Sequence, residues 1–91
     1  GMGSAIGKDV PAYVMVNGNP AAAKSINAEG LRRRGFSRDE VRAINKSFKI
    51  VYRRGLTVDE AVGELQQLAQ SFPRITPMID SLTSSSRGIV R

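Results

Sequence analysis

Arginine is the residue type in this sequence best suited to grip another molecule. Arg32, Arg33 and Arg34 stand in succession just before Gly35. On a single turn of helix, consecutive side chains point in different directions, so the triplet does not form one solvated face. Each guanidinium carries a planar fork of N–H donors matched to phosphate oxygens, which makes the triplet a candidate anion site. Packing and solubility are the plainer alternative. Arg38, Arg42, Lys46, Lys49 and Arg53 follow at steps of four, four, three and four, which stacks them along one helix face. Like charges at those steps repel by about a few tenths of a kcal/mol per pair. Such a stripe invites an acidic partner, although many exposed helix faces are basic for no specific reason. Gly18-Asn19-Pro20-Ala21 is, locally, a turn.

What is missing narrows the chemistry. The 91 residues include no histidine, so the commonest general base near neutral pH and the commonest metal ligand are both absent. They include no cysteine, which excludes disulfide staples and thiolate metal sites and suits a reducing compartment. There is no glycine-rich phosphate loop, no carboxylate pair at catalytic spacing and no calcium loop. We therefore expect no catalytic residue, no metal site and no cofactor. Fourteen Lys and Arg against eight Asp and Glu give a net charge of +6, which points to an acidic partner. Aromatic residues make up only 5% and none interleaves the stripe, which counts against a base-stacking nucleic-acid platform. No apolar run of about 18 residues is present to span a membrane, and the start shows no signal-peptide pattern. Gly1-Met2 reads as a tag scar.

The elements that must position these side chains are mostly helices. Asn27 can cap a short helix reaching about Arg34, with Glu29 in its first turn and Gly35 as its stop. Ser37-Arg38-Asp39-Glu40 and Thr57-Val58-Asp59-Glu60 are capping-box patterns. The first opens a helix with Val41, Ile44, Phe48, Val51 and Tyr52 on one face, ended by Gly55. The second opens one with Ala61, Val62, Leu65, Leu68, Ala69 and Phe72, stopped by Pro73. The short link makes the two antiparallel neighbours, over 38–54 and 58–72. A last helix is predicted to start at Thr76-Pro77, with Thr76 as its cap, and to contribute Met78, Ile79 and Leu82. Gly88-Ile89-Val90 is an apolar tail able to pack back. Before Asn27, Ala12 to Val16 reads as a strand between turn signals, followed by a connector through Ala21 to Lys24. A lone strand cannot form a sheet, so its partners are expected in sequence not present here or in another chain, with the segment before Ile26 weakly ordered.

Two stretches carry a family resemblance. Asp9-Val10-Pro11-Ala12-Tyr13-Val14-Met15-Val16-Asn17-Gly18-Asn19-Pro20-Ala21 resembles the closing coil of a left-handed parallel β-helix built from hexapeptide repeats. Ile26-Asn27-Ala28-Glu29-Gly30-Leu31-Arg32-Arg33-Arg34-Gly35-Phe36-Ser37 is similar to the entry of the helical domain of UDP-N-acetylglucosamine O-acyltransferases of lipid A biosynthesis. Tyr52-Arg53-Arg54-Gly55, Thr57-Val58-Asp59-Glu60 and Ser86-Arg87-Gly88-Ile89-Val90-Arg91 match the same family. Pro77 departs from it, falling where the last helix is usually under way, so a late start or a distorted turn is expected there.

The resemblance implies a mainly α fold, a small helical bundle preceded by the last coil of a β-helix. It divides the chain into a start at 1–4, a coil remnant and connector at 5–25, and a helical C-terminal domain at 26–91. It implies a parent acyltransferase, cytoplasmic and homotrimeric, that moves an (R)-3-hydroxyacyl group from acyl carrier protein to the 3-hydroxyl of UDP-N-acetylglucosamine. The family's histidine base lies on the β-helix, so this chain alone is expected to be inactive. Asn27, Glu29, Arg33 and Arg34 fall at nucleotide-sugar positions, and the stripe becomes a docking face for carrier protein. Two rivals remain in view, a small basic helical nucleic-acid-binding module and a purely structural cap on the β-helix.

Overall fold

Three helices begin where a short polar side chain satisfies a backbone N–H that the helix itself cannot. Asn27 accepts from the Gly30 N–H and starts α1, Ala28–Arg33. Ser37 accepts from the Glu40 N–H, while Glu40 reaches back to the Ser37 N–H, and this reciprocal pair starts α2, Arg38–Tyr52. Thr57 and Glu60 repeat it at the start of α3, Val58–Ala69. Each cap is worth about 1 kcal/mol. Gly35 and Gly55 sit at φ +90° and +66°, reversing the chain after α1 and α2 where a side chain would strain the backbone. The computed structural model describes residues 9–18, 22–85 and 88–91. The expected tag scar, the Asn19-Pro20-Ala21 part of the turn, and Ser86 and Arg87 lie outside the described residues.

The last helix starts differently from the expectation. After α3 ends at Ala69, a turn leads to a 3-10 helix, Pro73–Ile75, which runs directly into α4, Thr76–Ser84. Ile75 is the N-cap, and Thr76 makes no capping bond because it is already helical. The preceding 3-10 turn takes over the role of a cap. Pro77 falls within the first turn of α4, where its missing N–H costs no helical bond, so the expected late start does not occur. Pro73 likewise opens an element instead of closing α3.

The strand has its partner within the chain. β1, Val14–Asn17, pairs antiparallel with β2, Ala22–Ile26, in a register that joins Val14 to Ile26 and Met15 to Ser25. The register then shifts to join Val16 to Ala23, leaving Lys24 as the bulged residue. The stretch read as a connector is therefore half of a two-stranded sheet. Ile26 enters the core, and β1 is fixed from its start by Tyr13, whose hydroxyl donates to the Arg74 carbonyl at 2.8 Å. Tyr13 has φ +69°, an unusual backbone for a residue with a bulky side chain. Its edge-on contact with Phe36, at 5.8 Å between ring centres, helps hold it there.

The core lies between α2, α3, the 3-10 turn and α4. Ile44, Leu65 and Ile75 are fully buried, with Met78 and Leu82 beside them. Of the expected core, Val41, Phe48, Val51 and Ala61 are also buried, while Tyr52, Val62, Leu68, Ala69, Phe72 and Ile79 pack at its margin. The buried face of α2 is wider than one stripe, taking in Ala43, Ser47 and Ile50. Ser47 satisfies itself by donating to the Ala43 carbonyl at 2.9 Å. The tail packs back as expected, burying Ile89 and Val90. It forms a parallel bridge with Asp9, through Asp9 N–H to the Gly88 carbonyl and Val90 N–H to the Asp9 carbonyl, both 2.8 Å. Tyr52 donates to the Val90 carbonyl at 2.7 Å, and burial pushes its phenol up to about 12.

Candidate functional site

α1 holds the arginine triplet at the surface on six helical residues. Its geometry separates the four expected sugar-nucleotide residues into two pairs. Glu29 and Arg33, one helical turn apart, close a salt bridge of 2.9 Å while remaining largely exposed, at 73% and 78% of their side chains. Asn27 and Arg34 mark the two ends of the helix, as N-cap and C-cap. At 100° per residue they fall on roughly the same side, well away from the Glu29–Arg33 pair. The Asn27 side chain lies against Gly30, where an added Cβ would meet its amide nitrogen at 2.5 Å. Glycine at 30 is what lets this cap seat. Arg32 and Arg34 form no ion pair among the described residues, so their guanidinium forks are available to an anion.

All five residues of the basic stripe are exposed on α2 or its end. Arg38, Arg42, Lys46 and Lys49 lie within the helix and have no acidic partner among the described residues. Arg53 differs. It is the C-cap of α2, and its guanidinium lies 5.5 Å from the centre of the Phe48 ring. The stripe is thus four cations without an acidic partner among the described residues and a fifth held against an aromatic face. Phe48 and Tyr52, the only aromatic residues on α2, turn to the core and its margin, so no base-stacking surface accompanies the charge.

Between the two cationic regions stands a residue the sequence did not single out. Arg74 bonds Glu40 at 2.9 Å and lays its guanidinium 4.0 Å from the centre of the Phe36 ring, while its carbonyl receives the Tyr13 hydroxyl. It ties β1, the α1–α2 turn, the first turn of α2 and the 3-10 turn together. Burial raises the Tyr13 phenol above its ordinary range, against the opposing charges of Arg74 and Arg34. The Glu40 carboxyl is held below the usual range chiefly by the Ser37 N–H, with Arg74 adding to it. An arginine after a proline is no signal in itself, which is why the sequence alone passes over Arg74.

This arrangement defines a small helical domain with exposed arginines on and just after α1 and a row of exposed cations along α2. The family model described as UDP-N-acetylglucosamine O-acyltransferase, domain 2, matches residues 9–90, and the chain belongs to that family. It is 62% identical over 91 residues to the acyl-[acyl-carrier-protein]–UDP-N-acetylglucosamine O-acyltransferase of Saccharophagus degradans, covering all of this chain and 35% of that protein. The crystal structure of the Moraxella catarrhalis UDP-N-acetylglucosamine O-acyltransferase superposes with a TM-score of 0.89 at 49% identity, over 92% of this chain and 33% of that one. The Arabidopsis enzyme gives 0.76 at 33% identity, over 92% and 33%. The chain therefore spans about a third of the length of these relatives. The nucleic-acid alternative finds no support among them. No helix among the described residues is long and apolar enough to cross a membrane.

Proposed function

We propose that the chain serves as the non-catalytic C-terminal domain of an acyltransferase that transfers an (R)-3-hydroxyacyl group from acyl carrier protein to the 3-hydroxyl of UDP-N-acetylglucosamine in lipid A synthesis. In this reading the β1–β2 pair links a left-handed β-helix upstream to the helical domain, residues 26–91, and the assembly is a cytoplasmic homotrimer whose histidine base lies upstream. The names of the relatives supply the two substrates. The absence of histidine from this chain supports placing the general base elsewhere. Arg34 is suited to the diphosphate of the sugar nucleotide, with Asn27 beside it. Arg33 would join after exchanging Glu29 for phosphate, and Glu29, once released, could accept from ribose or base.

The observation that carries the reading is the row Arg38, Arg42, Lys46 and Lys49, exposed and without acidic partners among the described residues. Opposite charge speeds encounter and orients docking more than it deepens affinity. Titrating the 91-residue chain with acyl carrier protein should shift amide resonances along α2, with binding that weakens from low to physiological salt as the screening length falls to roughly 8 Å. Reversing Arg42 and Lys46 to glutamate should abolish most of both effects. Binding of carrier protein that leaves α2 untouched would remove the stripe from docking, and equal binding of duplex DNA would restore the nucleic-acid alternative.

A further inference from the structure

The charge of the stripe does not account for the surface beside it. A shallow groove of about 230 Å3 runs between α2 and the end of α3, lined by Asp39, Arg42, Ala43, Lys46, Leu68 and Phe72. The α2 residues recur at three- and four-residue steps, so they form one face. Ala43 is the smallest of them and buried, which opens the hollow, while half-buried Leu68 and Phe72 complete an apolar floor. Arg42 and Lys46 stand at its rim.

We infer that this groove seats one bulky apolar side chain of the docked carrier protein, while Arg42 and Lys46 engage carboxylates beside it. The inference rests on the docking reading above and specifies what that reading leaves open. Size argues for a single side chain, since small-molecule pockets run from about 300 to 1,000 Å3 and this groove falls short of them. Chemistry argues for an apolar one. A polar group placed against Ala43, Leu68 and Phe72 would lose its water without gaining a partner. The rim argues for acidic surroundings, because it holds two cations without acidic partners among the described residues. Asp39 is the one carboxylate on the lining. It repels an acidic partner locally and so biases the register in which that partner settles.

Rim charges act mainly on the association rate and its salt dependence, whereas a filled apolar seat acts mainly on dissociation. Binding of acyl carrier protein to the 91-residue chain, measured at two salt concentrations, separates the two. Leu68→Gln keeps similar bulk and makes the floor polar. It should weaken binding about fivefold to tenfold through faster dissociation, with the salt response unchanged. Asp39→Asn should tighten binding by about twofold to threefold at low salt. Thermal melts of both variants check that the fold is intact. Wild-type affinity in both, alongside weakened binding after reversal of Arg42 and Lys46, would overturn the seat and leave the docking face standing. A charge reversal without effect would overturn the docking face and the seat together.

Discussion

The two cationic regions are built on different plans. On α1, one of three arginines, Arg33, is met within one turn by Glu29, while Arg32 and Arg34 form no ion pair among the described residues, and the helix is six residues opened by a side-chain cap. On α2, four cations line a fifteen-residue helix with no acidic partner among the described residues. A pre-paired arginine can exchange one anion for another at a fixed place, which suits a defined small ligand. An uncompensated row sets up a field that acts before contact, which suits a large acidic body arriving from solution. Residue counts alone would have rated the two regions as similar. The placement of carboxylates distinguishes them.

The largest expected effect would break the comparison by removing the support beneath one region. Leu65 is fully buried, and Leu65→Ala should cost roughly 2–5 kcal/mol. Thermal unfolding and hydrogen exchange should show α2 losing protection. A melting temperature unchanged by this substitution would mean that α3 does not support the stripe. Next, in an acyltransferase carrying this domain, Arg34→Ala should lower kcat/KM on the order of ten- to a hundredfold, since a charge-assisted contact to phosphate is worth about 1.5–3 kcal/mol. Arg33→Ala should lower it by less, because its guanidinium must first leave Glu29. Equal losses in the two variants would remove the distinction drawn between them, and wild-type kinetics in both would take the arginines out of the site.

Smaller effects sharpen the comparison. Asn27→Ala should destabilise the domain by about 1 kcal/mol by uncapping α1. Gly30→Ala, ordinarily worth about 1 kcal/mol in helix propensity, should gain little of it, because the new methyl displaces the Asn27 amide. Denaturant titration of both variants measures this, and full stabilisation by Gly30→Ala would show that the cap does not matter. The smallest effect concerns Glu40. Its folded pKa lies below the ordinary 4.5, so its contribution is present above that value and is lost as pH falls through the folded value. The melting-temperature gap between wild type and Glu40→Gln should therefore exist at neutral pH and close in acid. A gap that persists at the lowest pH would assign the effect to something other than the carboxylate.

The helices of this domain were legible because their starts depend on neighbours three residues away. Ser37 with Glu40 and Thr57 with Glu60 announce themselves in the sequence, and so do the glycines that follow α1 and α2. β2 was not legible, because Ala22, Ala23, Lys24 and Ser25 have little strand preference and pair with β1 for reasons of tertiary context. The start of α4 was misread for a similar reason. Thr76 has the chemistry of a cap, but the 3-10 turn before it had already set the backbone. For the candidate site, residue types and spacing were enough to place both cationic regions at the surface, on α1 and along α2. The tie between Glu29 and Arg33 was also open to reading from its four-residue step. The convergence of Tyr13, Phe36, Glu40 and Arg74 was not, since it joins residues up to 61 positions apart.

The bridge between Asp9 and the 88–90 segment makes the backbone almost a ring. A pull that separates residue 9 from residue 90 meets two hydrogen bonds at once, with the Tyr52 hydroxyl acting as a further latch on the same strand. Neighbouring polypeptide attached on either side would tug on this clasp before it reached the core. Joining the two sides covalently and opening the chain elsewhere, at the exposed turn around Gly55, would preserve every packed contact described here. The domain is in this respect a unit fastened at one corner.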